Sequence, residues 1–124
     1  MVDDDEPVRR SLGRLLHTAG YEVELFSGAE AYLERAVPAR PACLLLDMRM
    51  PGMGGMELQH RIAGTARELP IIFITAHGDE ALRQALIRSG AVDVLFKPLD
   101  ADVLLEAVAR ALKVSAIPET AVRA

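Results

Sequence analysis

The sequence has few of the features that mark secreted, membrane-spanning or nucleic-acid-binding proteins. Its 124 residues include no tryptophan and one cysteine, Cys43. Because a disulfide needs two cysteines, no internal disulfide can form. Its longest apolar runs, such as 70–74, are far shorter than the roughly 18 residues of a spanning helix, and no export leader is visible. With a net charge of -4 and a pI of about 5.3, it lacks the cationic surface that binds a phosphate backbone. We therefore expect a cytoplasmic protein with neither a membrane nor nucleic acid as a direct partner.

The composition that is present suits one globular domain. Hydrophobic residues make up 51% of the chain and charged residues 26%, with a mean hydropathy of +0.19, enough to bury a core. The length excludes a multi-domain enzyme. Residues 1–113 carry the periodic apolar pattern and are predicted to form the domain. Residues 114–124 carry no period and are predicted to be a loose tail or the start of a linker.

Apolar periodicity alternates between helical spacing and short unbroken runs, which is typical of an α/β fold with parallel strands. Pro7 and Gly20 bound the first helix, and Ser27 and Asp100 are predicted N-caps of later helices. The predicted strands are Glu22–Phe26, Ala42–Leu46, Ile71–Ile74 and Val92–Phe96, and the predicted helices include Ser27–Ala36, Met56–Ala63, Asp79–Ser89 and Asp100–Leu112.

The first strand of this pattern is nearly missing. Only Met1 and Val2 precede the acidic run that opens the first helix. Either the fold starts with a stub or the natural chain begins upstream of Met1, and the sequence leaves both alternatives open.

Polar residues follow the predicted strands where each of them ends: Asp3, Asp4, Asp47, Thr75 and Lys97. Parallel strands end at one edge of their sheet, so these five side chains are expected to converge there. Clustered carboxylates favour Mg²⁺, and a carboxylate can attack phosphorus while a lysine and a hydroxyl stabilise the phosphoryl oxygens. The pattern favours a phosphoryl acceptor. Two alternatives remain open: strand ends are often simply polar, and the acidic run, whose register is uncertain by one residue, suits any helix start.

Other functional sites have little support. The glycines in 52–55 are followed by no Lys-Ser/Thr pair and fail the dinucleotide fingerprint, so turn chemistry explains them. His17, His60 and His77 lie far apart in sequence, with Cys43 expected inside a strand, which disfavours a zinc site.

Four short motifs, in this order and spacing, resemble the receiver domain of bacterial two-component response regulators, most nearly the FixJ type. The resemblance covers about 2–112. The motifs are Val2-Asp3-Asp4-Asp5-Glu6-Pro7-Val8-Arg9, Leu46-Asp47-Met48-Arg49-Met50-Pro51 with Gly55 after it, Ile74-Thr75-Ala76-His77-Gly78-Asp79 and Phe96-Lys97-Pro98.

The resemblance implies a flavodoxin-like (CheY-like), doubly wound, five-stranded parallel sheet of order 2-1-3-4-5. Here the first strand, nearly absent or truncated, would lie between the second and the third. It implies a non-enzymatic, Mg²⁺-dependent phosphoacceptor that can slowly dephosphorylate itself. A sensor histidine kinase would be the donor, transcription the regulated process, and a phosphorylation-dependent homodimer an accessible state.

Site roles carry over residue by residue from the resemblance. Asp47 would be the phosphoacceptor, Thr75 the switch hydroxyl and Lys97 the phosphate-pairing lysine. Asp3 and Asp4 would be the acidic pair. Asp4, Asp47 and the backbone carbonyl of Arg49 would bind Mg²⁺ directly, and Asp3 would act through metal-bound water. The Lys97-Pro98 bond is usually cis in this family.

Two departures leave competing functions open. Val94 stands where many receivers carry an aromatic residue that swings inward, so coupling through that rotamer is doubtful. The stub strand keeps a degenerate receiver, acting only as an interaction module, as the alternative. A haloacid-dehalogenase-like phosphatase is disfavoured because Arg49 stands where a second Asp would follow the nucleophile.

The resemblance also implies an output surface, whose interactions change on phosphorylation. This surface is the face formed by 79–89, 92–96 and 100–112.

Overall fold

A computed structural model of the chain describes residues 1–2, 6–34, 42–48, 52–65, 69–76 and 80–116. Of these, residues 114–116 are described by their backbone alone. Within these ranges the chain alternates helices and strands, as the apolar periodicity predicts. The strands are β1 (Leu44–Asp47), β2 (Ile71–Thr75) and β3 (Asp93–Phe96), and the helices are α1 (Glu6–Thr18), α2 (Ala29–Leu33), α3 (Gly55–Ile62), α4 (Glu80–Arg88) and α5 (Ala101–Ala116).

The three strands form a parallel sheet in the order β1-β2-β3. Leu46 lies opposite Phe73, and Phe73 lies opposite Val94. Every residue of β1 and β2 is buried, as expected of strands covered on both faces. Successive side chains alternate between two separate apolar clusters, so each strand contributes to the core on both sides.

Helices cover both faces of the sheet, which confirms the doubly wound architecture. On one face, α2, α3 and α4 pack against the sheet through residues such as Tyr32, Leu58 and Leu86. On the other face, α1 and α5 pack through residues such as Leu16 and Leu104. Because α3 and α4 connect β1 to β2 and β2 to β3, both of these crossovers lie on the first face, and all three strands end at one edge.

The stub, which consists of Met1 and Val2, lies where the resemblance places the first strand. Val2 forms parallel bridges with Phe26 on one side and Leu46 on the other, so it sits between its two predicted neighbours. The described residues form three regular strands, and the five-stranded sheet is not confirmed. Burial lowers the pKa of the Met1 amino group to about 6, partly offset by Cys43 and Glu24.

The predicted strand Glu22–Phe26 is wrong. Its alternating sequence suits a strand, but only Phe26 forms a bridge, and the four residues before it have no regular structure. A strand requires a neighbour for its hydrogen bonds, and here the neighbouring stub is only two residues long. Among the described residues, this stretch pairs with Met1 and Val2 only through Glu24 and Phe26, which is too little for a regular strand.

The helix termini test the capping predictions. Asp100 caps α5 as predicted, because its Oδ1 accepts hydrogen bonds from the amides of Asp102 at 2.8 Å and Val103 at 3.1 Å. Ser27 is not the cap of α2. Gly28 occupies that position with extended backbone and no side-chain hydrogen bond. α2 is described to Leu33, whereas helix was predicted to Ala36, and 35–41 lie outside the described residues.

The last described helix, α5, ends beyond Leu112, where the predicted helix ends. α5 extends over 114–116, into the stretch predicted to be a loose tail, and 117–124 lie outside the described residues. Among the helices that are described, none is long and apolar enough to cross a bilayer.

Candidate functional site

Three predicted site residues lie side by side at the carboxyl edge of the sheet. Asp47 is the last residue of β1, Thr75 is the last residue of β2, and Lys97 directly follows β3. Asp47 is in register with Ile74, the residue before Thr75. Thr75 is in register with Phe96, the residue before Lys97. The sheet register therefore brings together an acid, a hydroxyl and a base that are far apart in sequence.

Asp47 is fixed from both of its neighbours in the sheet. Its amide donates a 2.9 Å hydrogen bond to the carbonyl of Val2, and the next amide, of Met48, donates a 3.1 Å bond to the carbonyl of Ile74. The residue is only 7% exposed. A carboxylate in such a place interacts strongly with a nearby charge, because little water screens it.

Thr75 and Lys97 are coupled through their backbones. The amide of Lys97 donates a 2.8 Å hydrogen bond to the carbonyl of Thr75. Thr75 is 2% exposed and Lys97 is half-buried. The Lys97-Pro98 peptide bond is cis, as the resemblance implies.

Close packing around Gly55 explains why the motif has a glycine eight residues after Asp47. Gly55 begins α3, and a Cβ built on it would lie 2.6 Å from the carbonyl oxygen of Asp47 and 3.1 Å from Cε1 of Phe73. Its amide also donates a 3.1 Å hydrogen bond to the carbonyl of Met48. Only a residue without a side chain lets the start of α3 approach the end of β1 this closely.

The loop between β1 and α3 has a support that sequence reasoning missed. Glu30, on α2, accepts a 3.3 Å hydrogen bond from the amide of Met53 through its Oε1. A Cβ at Gly52, where φ is +76°, would lie 3.0 Å from the same oxygen. Nothing in the local sequence links Glu30 to this loop, because the contact depends on how α2 packs beside it.

The remaining predicted site residues, Asp3, Asp4 and Arg49, lie outside the described residues. Val2 and Leu46 are paired, and the acidic pair and Asp47 directly follow them in sequence. In the part of the chain that the structure describes, no three His, Cys, Asp or Glu residues form a metal-binding group. Of the proposed ligands, the structure describes Asp47, whose carboxylate oxygens at the sheet edge suit Mg²⁺.

Comparison with known proteins places this site in a family. The model of the response regulator receiver domain matches residues 1–109. The transcriptional regulatory protein FixJ of Rhizobium meliloti (strain 1021) is 40% identical over 111 residues, which are 90% of this chain and 54% of FixJ. Nodulation protein W of Bradyrhizobium diazoefficiens is 41% identical over 90% of this chain and 49% of its own. The chain thus spans about half the length of these relatives.

Solved structures give the same result for the fold. A crystal structure of FixJ-N superposes with a TM-score of 0.80 at 40% identity, covering 90% of each chain. The response regulator StyR superposes with a TM-score of 0.88 at 43% identity, covering 98% of this chain and 62% of StyR. The family match over most of the chain, the shared sheet and the residues at its carboxyl edge agree, and the chain belongs to the response regulator receiver domain family.

Proposed function

We propose that this chain is the phosphorylation-dependent switch of a two-component system, with Asp47 accepting a phosphoryl group from a sensor histidine kinase. The observation that carries the proposal is the sheet register, which aligns Asp47, Thr75 and Lys97 at one edge. An acceptor, a hydroxyl donor and a point positive charge are the groups that phosphoryl transfer to a carboxylate requires.

In the proposed reaction a carboxylate oxygen of Asp47 attacks the phosphorus of a phosphohistidine. The new O–P bond forms as the N–P bond breaks, and the imidazole leaves. Lys97 then pairs with one phosphoryl oxygen while the hydroxyl of Thr75 donates to another. Because Asp47 and Thr75 are buried, both interactions are stronger than they would be in water.

Magnesium is the proposed cofactor. Asp4, Asp47 and the backbone carbonyl of Arg49 would bind it directly, with Asp3 acting through water. The ion would offset the repulsion between the carboxylates and the incoming phosphoryl group. The same site would slowly hydrolyse its own phosphoryl group, so the chain acts as a timed switch rather than as a turnover enzyme.

The proposed output is regulation of transcription in the cytoplasm, in keeping with the name of the relative FixJ, of which the matched region is 54%. Phosphorylation would change the face formed by α4, β3 and α5 and promote pairing with a second copy there. Three large apolar residues on these elements are exposed: Ile87, Phe96 and Val103. Val94 is fully buried in the core, so we propose that the signal passes through Thr75 and its loop rather than through an aromatic rotamer.

The test is acetyl phosphate labelling of the chain and of Asp47→Asn, read by mass spectrometry. We expect one phosphoryl group on Asp47, lost in the variant and lost when EDTA removes Mg²⁺. Asp102→Asn makes the same chemical change on the exposed first turn of α5 and is the control, so it should label normally.

The alternatives give different results. A degenerate receiver would take no label yet still bind its partners. Label on a residue other than Asp47, or labelling unchanged by EDTA, would contradict the proposed site. Steady release of phosphate from phosphate esters would indicate a phosphatase instead.

Replacing Lys97 with alanine should weaken the response more than the fold. Lys97 is half-buried at the edge and contributes charge rather than core packing. We expect a melting temperature within about 3 °C of the parent, as for surface substitutions within about 0.5 kcal/mol, and a reduced NMR shift on adding beryllofluoride with Mg²⁺. Lys97→Arg keeps the charge and is the matched control. A Lys97→Ala variant that melts far below the parent, yet shows the full NMR shift at temperatures where it is folded, would contradict the proposed role of Lys97.

A further inference from the structure

An exposed glutamate on α2, Glu30, reaches across to the loop that follows β1. Its Oε1 accepts a 3.3 Å hydrogen bond from the amide of Met53, which lies 23 residues further along the chain. Glu30 stands in the first turn of α2, where the helix dipole alone favours an acidic residue. The contact with the loop is one that the helix start does not require, so it needs an explanation of its own.

Two glycines make the space that the carboxylate of Glu30 occupies. A Cβ built on Gly52 would lie 3.0 Å from Oε1, and a Cβ built on Gly28 would lie 3.4 Å from Oε2. Gly52 also has a φ of +76°, a conformation that residues with a side chain rarely adopt. A side chain at Gly52 would therefore strain the loop and push the carboxylate away from the amide of Met53.

Both ends of this hydrogen bond stand on packed parts of the molecule. On α2, Ala29 and Tyr32 are buried, and the ring of Tyr32 meets that of Phe26 edge to face, with the centroids 5.4 Å apart. Met53 is also buried, in the same apolar cluster as Tyr32. The bond from Glu30 therefore joins two anchored segments, and it fixes the backbone of the loop relative to α2.

The loop that Glu30 holds leads directly to the proposed acceptor residue. Two residues after Met53, Gly55 begins α3, and its amide donates a 3.1 Å hydrogen bond to the carbonyl of Met48. The close approach of Gly55 to the carbonyl of Asp47, described above, means that the start of α3 rests on the end of β1. A shift of the loop would be passed on to Asp47, because such close packing leaves no room to absorb it.

We propose that Glu30 is a positioning residue for phosphoryl transfer to Asp47. By accepting the amide of Met53, its carboxylate holds the start of α3 against the end of β1. The carboxylate of Asp47 then keeps its alignment with Thr75 and Lys97. Transfer rates depend steeply on alignment, so a small displacement slows transfer more than it destabilises the fold. This inference rests on the proposed phosphoacceptor function of Asp47.

The test compares Glu30→Ala with Glu30→Gln in the full chain, by acetyl phosphate labelling of Asp47 in the presence of Mg²⁺. Alanine removes the acceptor oxygen, and we expect labelling to slow about tenfold at a temperature where the variant is folded. Its melting temperature should fall by about 5 °C or less, as for the loss of one hydrogen bond. Glutamine keeps a side-chain oxygen, so labelling should return to within about twofold of the parent.

Glu34→Ala is the matched control, because it removes an exposed carboxylate from the end of the same short helix. It should label like the parent. A second measurement needs no phosphorylation. The amide of Met53 should exchange with deuterium about tenfold or more faster in Glu30→Ala than in the parent or in Glu30→Gln, because it has lost its acceptor. Unchanged exchange would show that the bond does not hold the loop, and would overturn the inference.

The labelling results separate this inference from the proposed function. If Asp47 is labelled in the parent and at the same rate in Glu30→Ala, the positioning role is wrong while the phosphoacceptor function stands. Equal slowing by alanine and glutamine at Glu30, or slowing by Glu34→Ala, would also overturn the role, since the hydrogen bond would not be the cause. A parent that takes no label on Asp47 would contradict the proposed function and the positioning role together.

Discussion

Replacing Gly55 with alanine is expected to lower the melting temperature by roughly 10 °C, from a loss of about 3 kcal/mol at the upper end of overpacking costs. The added Cβ would lie 2.6 Å from the carbonyl oxygen of Asp47, 3.1 Å from Phe73 and 3.3 Å from Cα of Met48. Two of these atoms belong to the backbone at the end of β1. They cannot turn away as a flexible side chain would, so either α3 or the strand end must move.

The same substitution should impair phosphate acceptance, because the displaced oxygen belongs to the proposed acceptor residue. Movement of the Asp47 backbone shifts its carboxylate relative to Thr75 and Lys97, and phosphoryl transfer depends on their alignment. We expect acetyl phosphate labelling to slow about tenfold or more at a temperature where the variant is folded. Thermal unfolding and labelling rate measured on one sample separate the two effects.

Gly54→Ala is the matched control for this prediction. Gly54 is the neighbouring residue, its φ is -78°, and the nearest atom to an added Cβ is the carbonyl oxygen of Met48 at 3.4 Å. Its position at the helix N-cap makes the change cost about 1 kcal/mol or less. If both alanine variants melt together, or Gly55→Ala melts and labels like the parent, the close approach at Gly55 does not limit this site.

The sequence was sufficient to predict the alternating architecture and the edge where the site residues meet. Unbroken apolar runs such as Ile71–Ile74 can be covered only by helices on both faces, and parallel strands end together. The strand-end position of Asp47, Thr75 and Lys97 follows from that rule alone. Their roles in phosphoryl transfer stay predictions until labelling tests them.

The sequence could not predict features that depend on a distant partner. The stretch Glu22–Phe26 has a strand-like pattern, but its pairing depends on the stub, so only Phe26 forms a bridge. The contact from Glu30 to the loop after β1 likewise spans 23 residues. Local propensity carries no information about which distant segment a stretch pairs with, so apolar periodicity predicts neither of these two details.

A buried acid inside an apolar strand is the third such feature. Asp93, at the start of β3, is 6% exposed. Its carboxylate forms ion pairs with two arginines, which lie on different helices. Arg110, on α5, lies 2.6 Å from Oδ2, and Arg83, on α4, lies 3.3 Å from Oδ1. Oδ1 also accepts a 2.8 Å hydrogen bond from the amide of Val94. One side chain thus ties α4, β3 and α5 together beneath the proposed output face.

Asp93→Ala is therefore expected to destabilise the chain by about 2 to 3 kcal/mol and to lower its melting temperature by roughly 10 °C. The loss is smaller than the roughly 3 to 5 kcal/mol for a fully buried pair, since both arginine side chains are about half exposed, at 41% for Arg83 and 53% for Arg110, and can turn to water. Chemical denaturation of the parent and the variant measures the difference directly.

Glu106→Ala is the control for the Asp93 prediction, because it removes another carboxylate from the same arginine. Glu106 lies 3.4 Å from Arg110 and is 72% exposed, so its loss should cost about 0.5 kcal/mol or less. Asp93→Asn keeps an oxygen for the amide of Val94 and should fall between the two. Equal losses for Asp93→Ala and Glu106→Ala would mean that the cluster is only a surface ion pair. The large difference is expected because Asp93→Ala removes three interactions of a side chain that is only 9% exposed.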